Sequence, residues 1–309
     1  MNTPGDDYQA ALAQGYLPIR EVARHTGVNP VTLRAWERRY GLIVPHRTPK
    51  GHRLYSQEHL ERIHAILGWL ERGVAVGQVK ELLSTRSTPP APGSNQWQTL
   101  RSQLLQCIEE LKERQLDEHF NRVLALYPPR TLCQQLFLPL FDELQQRWQG
   151  APFGAHLERV FFHSWLRSKL GARLTQNNRQ LSGAPLLLVN LSDLPLEPGL
   201  WLSAWLASCA GSPVEVFDWP LPLVELAVAL DSLAPYALLL YSSQALDNSL
   251  LRRELPRLNT NCAVPLLLVG AAAHIHADDL RQLPGLHLAD DPLSADLLLQ
   301  QLKASPCVN

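Results

Sequence analysis

Apolar residues recur at helical spacing through the first two thirds of the chain and as short continuous runs through the last third. At the N-terminal end, residues 17–25 carry a short helical pattern with Ile19, Val22 and Ala23 on one side, followed by a turn at residues 26–28. Asn29 is a good N-cap, and Pro30 falls at the first helical position, where its missing N–H costs nothing. The pattern predicts a second helix from there to Tyr40, stopped by Gly41. Apolar residues 42–44 and the pair Leu54 and Tyr55 then flank a turn at residues 48–51, which predicts a β-hairpin. Ser56 caps a further helix through Leu60, Ile63, Ile66, Leu67 and Leu70, with His59 standing where a capping box has Glu. A short helix over residues 76–83 closes this segment.

The middle of the chain predicts four helices, over residues 98–114, 116–126, 131–148 and 154–174, and short connections between them suggest a compact antiparallel bundle. The last third alternates. Apolar runs at 185–190, 214–217, 237–241, 265–269 and 286–288 read as strands buried on both faces. Amphipathic stretches at 199–210, 222–233, 247–258, 277–283 and 292–303 read as helices between and after them. The alternation predicts an α/β fold, a doubly wound parallel five-stranded sheet of the flavodoxin-like or Rossmann kind. The proline-rich run at 84–96 reads as a linker. The expected organisation is a flexible N-terminal arm at 1–15, a winged helix-turn-helix domain at 16–84, a linker at 85–96, a helical bundle at 97–176 and the α/β domain at 184–309.

Charge sharpens this division. The whole chain of 309 residues has a net charge of −1, yet residues 183–309 hold 5 basic and 13 acidic side chains. Between Arg20 and Arg53 there are 8 Lys or Arg and only 2 acids, which points to a polyanionic partner for the N-terminal domain. No stretch has the roughly 18–20 apolar residues of a membrane span, and residues 1–10 lack a signal peptide's basic and apolar regions, so a cytoplasmic protein with no membrane partner is expected. The 5 cysteines are scattered, without a C-x-x-C pair, which argues against a disulfide framework or a cysteine zinc site. His274 and His276 lie two apart with no third ligand to complete a set, so no metal is expected. Glycine-rich phosphate loops and a G-x-S-x-G elbow are also missing, so no catalytic residues and no enzyme activity are expected.

Helix, tight glycine turn, helix is the helix-turn-helix arrangement. On the second helix, Leu33, Trp36 and Tyr40 share one face, while Val31, Arg34, Ala35 and Arg38 lie opposite, with Thr32 and Arg39 on a flank. An anchored face backing a face of guanidinium and small side chains suits a helix entering a DNA major groove. The hairpin has a basic tip and edges at Arg47, Lys50, His52 and Arg53, placed to follow a phosphate backbone. Tyr40 and Tyr55 read either as contacts or as core aromatics with their hydroxyls at the surface.

The order TLRAWERRYGL followed by P-x-R-T-x-x-G-H-R-L-Y resembles the MerR family of winged-helix transcription regulators over about 70 residues. The resemblance implies a homodimer on a near-palindromic site in double-stranded promoter DNA, and activation through RNA polymerase by promoter distortion. Carried over by position, it makes Thr32, Arg34, Arg38, Arg39, Tyr40, Arg47, Lys50, His52, Arg53 and Tyr55 the candidate DNA contacts.

A helical bundle followed by an α/β domain resembles the cobalamin-dependent light-sensing branch of the same family. In that branch an axial histidine of a D-x-H-x-x-G motif follows the first strand of the α/β domain and ligates cobalt. Here Leu194 and Leu196 stand in place of the Asp and His, and only Gly199 matches. Gly270 matches part of a later glycine pair, and Trp148 with His156 part of the cap motif. Trp148, His156, Leu196, Gly199 and Gly270 are therefore the candidate pocket residues of a cobalamin-binding-like domain, and the expectation is that no cofactor binds, because leucine cannot ligate cobalt. The three-part plan resembles MlrA-type regulators of enteric bacteria. This implies control of biofilm-matrix genes and protein contacts with cyclic-di-GMP signalling enzymes. The alternative is a sensor that holds a corrinoid or flavin between bundle and α/β domain.

Overall fold

The computed structural model describes residues 6–84 and 94–304. They form two compact units that divide between Glu158 and Arg159.

The first unit opens with α1 (Asp6–Ala13), β1 (Leu17–Pro18) and α2 (Ile19–Thr26). Helix α1 lies within the segment expected to be a flexible arm. Its sequence, DDYQAALA, combines acids in the first turn with three alanines, a composition that favours helix. Next come α3 (Pro30–Ala35), β2 (His46–Arg47), β3 (Arg53–Tyr55), α4 (Gln57–Glu71) and α5 (Val76–Ser84). Strand β3 pairs antiparallel with β2, as the hairpin pattern predicts, and also with β1, Leu17 lying opposite Tyr55. The sequence reading missed this third strand because two residues are too few to show a period. The proline-rich linker falls largely outside the described residues.

The helical middle follows as α6 (Ser94–Glu109), α7 (Glu113–Leu126), α8 (Pro129–Leu132) and α9 (Leu138–Trp148), the last two joined by a π-turn at Cys133–Phe137. These helices and the winged domain share buried hydrogen bonds. Trp36 Nε1 donates to the Leu126 carbonyl at 2.9 Å, and Trp97 Nε1 donates to the Gly73 carbonyl at 3.0 Å. Helix α10 (Ala155–Asn178) passes from the first unit into the second after one turn. In the second unit it lays Gly171 against the Trp201 ring, and Asn178 bonds both backbone groups of Val214.

The second unit continues as β4 (Leu186–Asn190), α11 (Pro198–Cys209), β5 (Val214–Phe217), α12 (Leu226–Leu233), β6 (Ala237–Tyr241), α13 (Leu255–Asn261), β7 (Leu266–Val269), α14 (Ala271–Ile275), α15 (Ala277–Leu280), β8 (Leu286–Ala289) and α16 (Pro292–Ala304). All five strands are parallel, in the order β5-β4-β6-β7-β8, at the positions their apolar runs predict. Alternate residues face opposite sides. Leu187, Val189, Leu238, Leu240, Leu266 and Leu268 pack under α12 to α15. Helices α11 and α16 pack on each other, α11 also on β4 and β5 and α16 on β7 and β8. Order reverses at β4, so the loops after β4 and β6 diverge at the carboxyl end of the sheet, the usual ligand crevice of this fold.

Candidate nucleic-acid interface

The candidate interface begins with the cap of α3. The Asn29 side chain accepts a hydrogen bond from Thr32 N–H at 2.9 Å, and Pro30 starts the helix, as the sequence predicts. The helix widens into a π-turn over Trp36–Tyr40, a departure from the regular helix expected. Gly41 ends it in the left-handed region at φ 57°, which lets Leu42 N–H close back on the Trp36 carbonyl at 3.1 Å.

Leu33 and Trp36 are fully buried, while Arg34, Arg38 and Arg39 are exposed and Tyr40 is half-buried. Two candidate contacts lie elsewhere than expected. Thr32 is 0% exposed, inside the domain rather than on an open flank, and its hydroxyl has no hydrogen-bond partner. Tyr55 is 1% exposed, so it is a core aromatic, and its hydroxyl reaches neither surface nor partner. Burial, and next the charge of Glu37, push that phenol up to about 12.

Glu37 organises the wing. One carboxylate oxygen accepts from Arg47 on β2 at 2.5 Å and the other from Arg53 on β3 at 2.6 Å. Burial acts to raise its carboxyl, but the two guanidinium groups hold it below the ordinary value. A single acid thus fixes both edges of the hairpin to the helix, and the trio keeps a net positive charge. Lys50 and His52 stand exposed at the wing tip, joined there by the bond from Gly51 N–H to the Thr48 carbonyl.

His59 completes a capping box in the place of Glu. Its Nδ1 accepts from Ser56 N–H at 3.0 Å, and its Nε2 lies 3.0 Å from the Val44 carbonyl. The first bond requires Nδ1 bare and the second requires the proton on Nε2, so the neutral ring links α4 to the start of the wing. Burial outweighs the Val44 bond and keeps this imidazole below its ordinary value. Sequence reasoning missed both Glu37 and His59 as organisers. The one signal for Glu37 was its isolation as the sole acid between Arg34 and Arg53.

The candidate pocket residues lie in different units. Trp148 donates from Nε1 to Glu158 at 3.2 Å, and His156 is exposed, both in the first unit. Leu196, Gly199 and Gly270 lie at the carboxyl end of the parallel sheet in the second. That crevice is filled from within. The Tyr241 ring lies so close to Gly199 that a Cβ there would come within 1.8 Å of its hydroxyl. Gly270, at φ 99°, lies against the Ser242 carbonyl and the same ring. Buried Glu197 accepts from Ser243 N–H at 2.8 Å and Ser243 Oγ at 2.9 Å, lacing the two diverging loops together. Leu196 is 3% exposed and offers no donor atom. These residues do not fit a corrinoid ligated through histidine and seated between the two glycines. Among the described residues there is no group of three or more His, Cys, Asp or Glu able to hold a metal, and no helix long and apolar enough to cross a membrane.

Comparison with known proteins agrees with the first unit's geometry. Residues 17–86 match the family described as MerR HTH family regulatory protein. The chain is 35% identical over 201 residues to the HTH-type transcriptional regulator MlrA of Escherichia coli (strain K12), which covers 64% of this chain and 78% of that protein. It is 25% identical over 288 residues to the HTH-type transcriptional repressor CarH of Myxococcus xanthus, covering 86% and 92%. Among solved structures, the methanol:cobalamin methyltransferase complex MtaBC from Methanosarcina barkeri aligns over 73% of this chain and 89% of that one, with 14% identity and a TM-score of 0.36.

Proposed function

Because the chain belongs to the MerR family of HTH-type transcriptional regulators, in the branch that includes MlrA, we propose that it binds promoter DNA as a homodimer and activates transcription by distorting the promoter under RNA polymerase. The observation that carries this reading is the recognition helix, buried at Leu33 and Trp36 and exposed at Arg34, Arg38 and Arg39, beside a wing whose arginines Glu37 holds in place. Arg34 and Arg38 read base edges. Arg39, Arg47, Lys50, His52 and Arg53 follow the phosphates, and Tyr40 supports them from the flank. Thr32 and Tyr55 are left out of the contact set because both are buried. Two copies place two such helices in successive major grooves, and a deformable spacer supplies the distortion.

The regulator acts in the cytoplasm and without catalysis. Its second unit receives the signal through protein contact, with cyclic-di-GMP signalling enzymes of the biofilm circuit as the partners the MlrA resemblance suggests. Leu196, and Tyr241 between Gly199 and Gly270, support a receiver without a histidine-ligated cobalamin. Two measurements test this. In fluorescence anisotropy against a duplex selected from a random pool, Arg38→Ala weakens binding by about 1–3 kcal/mol, roughly 5- to 150-fold. Unchanged affinity removes Arg38 from the interface. Titration with adenosylcobalamin in darkness leaves the spectrum a plain sum of its parts, whereas a saturable change that co-elutes with the protein brings the photosensor reading forward.

A further inference from the structure

The recognition helix carries an apolar side chain that its cationic contacts leave unexplained. Val31, in the first turn of α3, is 58% exposed, on the same face as Arg34, Ala35 and Arg38. Valine is a costly choice for an exposed helical position. Its branched Cβ lowers helix propensity, and its methyl groups gain nothing from facing water. Single exposed apolar residues are common on protein surfaces. What sets Val31 apart is where it stands.

The first turn offers a ligand on this face one side chain. Among residues 29–33, all of them described, Val31 alone is exposed. The Asn29 side chain is committed to the cap, accepting from Thr32 N–H at 2.9 Å. Thr32 and Leu33 are buried, and Pro30 has no donor to offer. One turn on, Ala35 adds only a methyl group, so nothing bulky on that line keeps Val31 from a groove floor. In a helix a valine holds essentially one χ1 rotamer, so its two methyl groups are presented in a fixed direction. The chemistry of the side chain then selects the ligand. Val31 neither donates nor accepts a hydrogen bond, so against the polar edges of guanine, cytosine or adenine it strips water and returns nothing. The major groove presents a single apolar group among its base edges, the C5-methyl of thymine.

We infer that Val31 is a specificity-determining residue that packs on the C5-methyl of a thymine in the major groove, beside the bases read by Arg34 and Arg38. This rests on the proposed reading of DNA by the α3 face, and it adds a base identity that the arginines do not supply.

Uracil pairs with adenine as thymine does and lacks only that methyl, so a uracil scan isolates the contact. In a duplex selected from a random pool, each thymine is replaced in turn. Fluorescence anisotropy then measures the full-length wild type and Val31→Ala on every duplex. Circular dichroism shows that the variant is folded, and truncating a side chain that is 58% exposed opens no cavity in the core. At one thymine or more, the wild type binds the uracil duplex roughly fourfold more weakly, the equivalent of one buried methyl at about 0.8 kcal/mol. Val31→Ala binds the thymine and uracil duplexes equally there, and elsewhere responds to uracil as the wild type does. A wild type indifferent to uracil at every position, or a selected site that holds no thymine, overturns the inference. So does a variant that loses the same factor as the wild type at every sensitive position, because the methyl is then felt through DNA shape or another residue. A scrambled duplex separates this failure from a failure of the DNA reading. If only the inference is wrong, the wild type still prefers the selected duplex to the scrambled one. If the DNA reading is wrong, it binds the two alike, and the inference falls with it.

Discussion

Replacing the Trp36 indole with benzothienylalanine, which keeps the bicyclic shape and removes the N–H, isolates one hydrogen bond between the recognition helix and the helical middle. Helix α7 ends at Leu126, so that residue's carbonyl has lost its intrahelical partner. The next two residues after Tyr127 are Pro128 and Pro129, neither of which has an N–H to give. Trp36 Nε1 supplies the missing donor at 2.9 Å, in a buried setting. Leaving that acceptor unpaired costs about 1–3 kcal/mol. Trp36→Phe loses the same bond and about three ring atoms of packing as well, for a total of roughly 2–5 kcal/mol. For a unit of 158 residues, 1 kcal/mol corresponds to roughly 2–4 °C in Tm. The benzothienyl variant should therefore melt about 2–12 °C below the wild type, and the phenylalanine variant lower still. Urea unfolding followed by near-ultraviolet circular dichroism reads the difference directly. A benzothienyl variant as stable as the wild type, its fold intact, refutes the argument that Trp36 caps α7.

Three further outcomes follow from the packing. Glu37→Gln releases Arg47 and Arg53 from the helix and lowers the ratio of specific to non-specific DNA affinity, read by anisotropy with and without competitor duplex; in the native protein the same loosening sets in at acid pH, because a carboxyl held below its ordinary 4.5 contributes stability above that value and loses it as pH falls through the folded value. Burial, and next Arg159, lower His163 from 6.5 to about 4, so folding excludes a proton that the unfolded chain binds, and the second unit loses up to about 3 kcal/mol between pH 6.5 and 4; His163→Phe should flatten that part of the stability–pH curve in chemical denaturation. Gly199→Ala drives a Cβ into the Tyr241 ring and destabilises the second unit by about 1–3 kcal/mol or more, and in thermal melts the same change should cost less when made in a Tyr241→Ala background than in the wild type.

The elements were largely legible in the sequence because they rest on local rules. Asn29 and Pro30 cap α3, and Gly41 ends the turn that follows it. The five short apolar runs, with helices between them, left a parallel sheet as the consistent outcome. What stayed hidden depends on partners distant in sequence. A helical wheel puts Thr32 on a flank, but the folded domain covers that flank and leaves the residue 0% exposed. Tyr55 read either as a contact or as a core aromatic with a surface hydroxyl, yet it is 1% exposed on a strand paired along both edges, and its hydroxyl is buried without a partner. Glu37 could be counted as an acid in a basic stretch, but its double bond to the wing required Arg47 and Arg53 to be brought to it by the hairpin. Leu196, standing where the light-sensing branch has its histidine, could be read from the sequence at once, whereas the ring packed against Gly199 and Gly270, Tyr241, lies 45 positions later and carried no motif.

Helix α11 has a consequence for how the chain is made. Gly199 to Ser208 are all buried, so the helix has no wet side and depends on the sheet and on α16 for cover. On the ribosome, α11 emerges well before α16 is synthesised. Throughout that interval the nascent chain displays a bare hydrophobic cylinder with Leu200, Trp201, Trp205 and Leu206 along it. The second unit therefore completes its fold late in translation, and until then α11 is the natural hold for a chaperone.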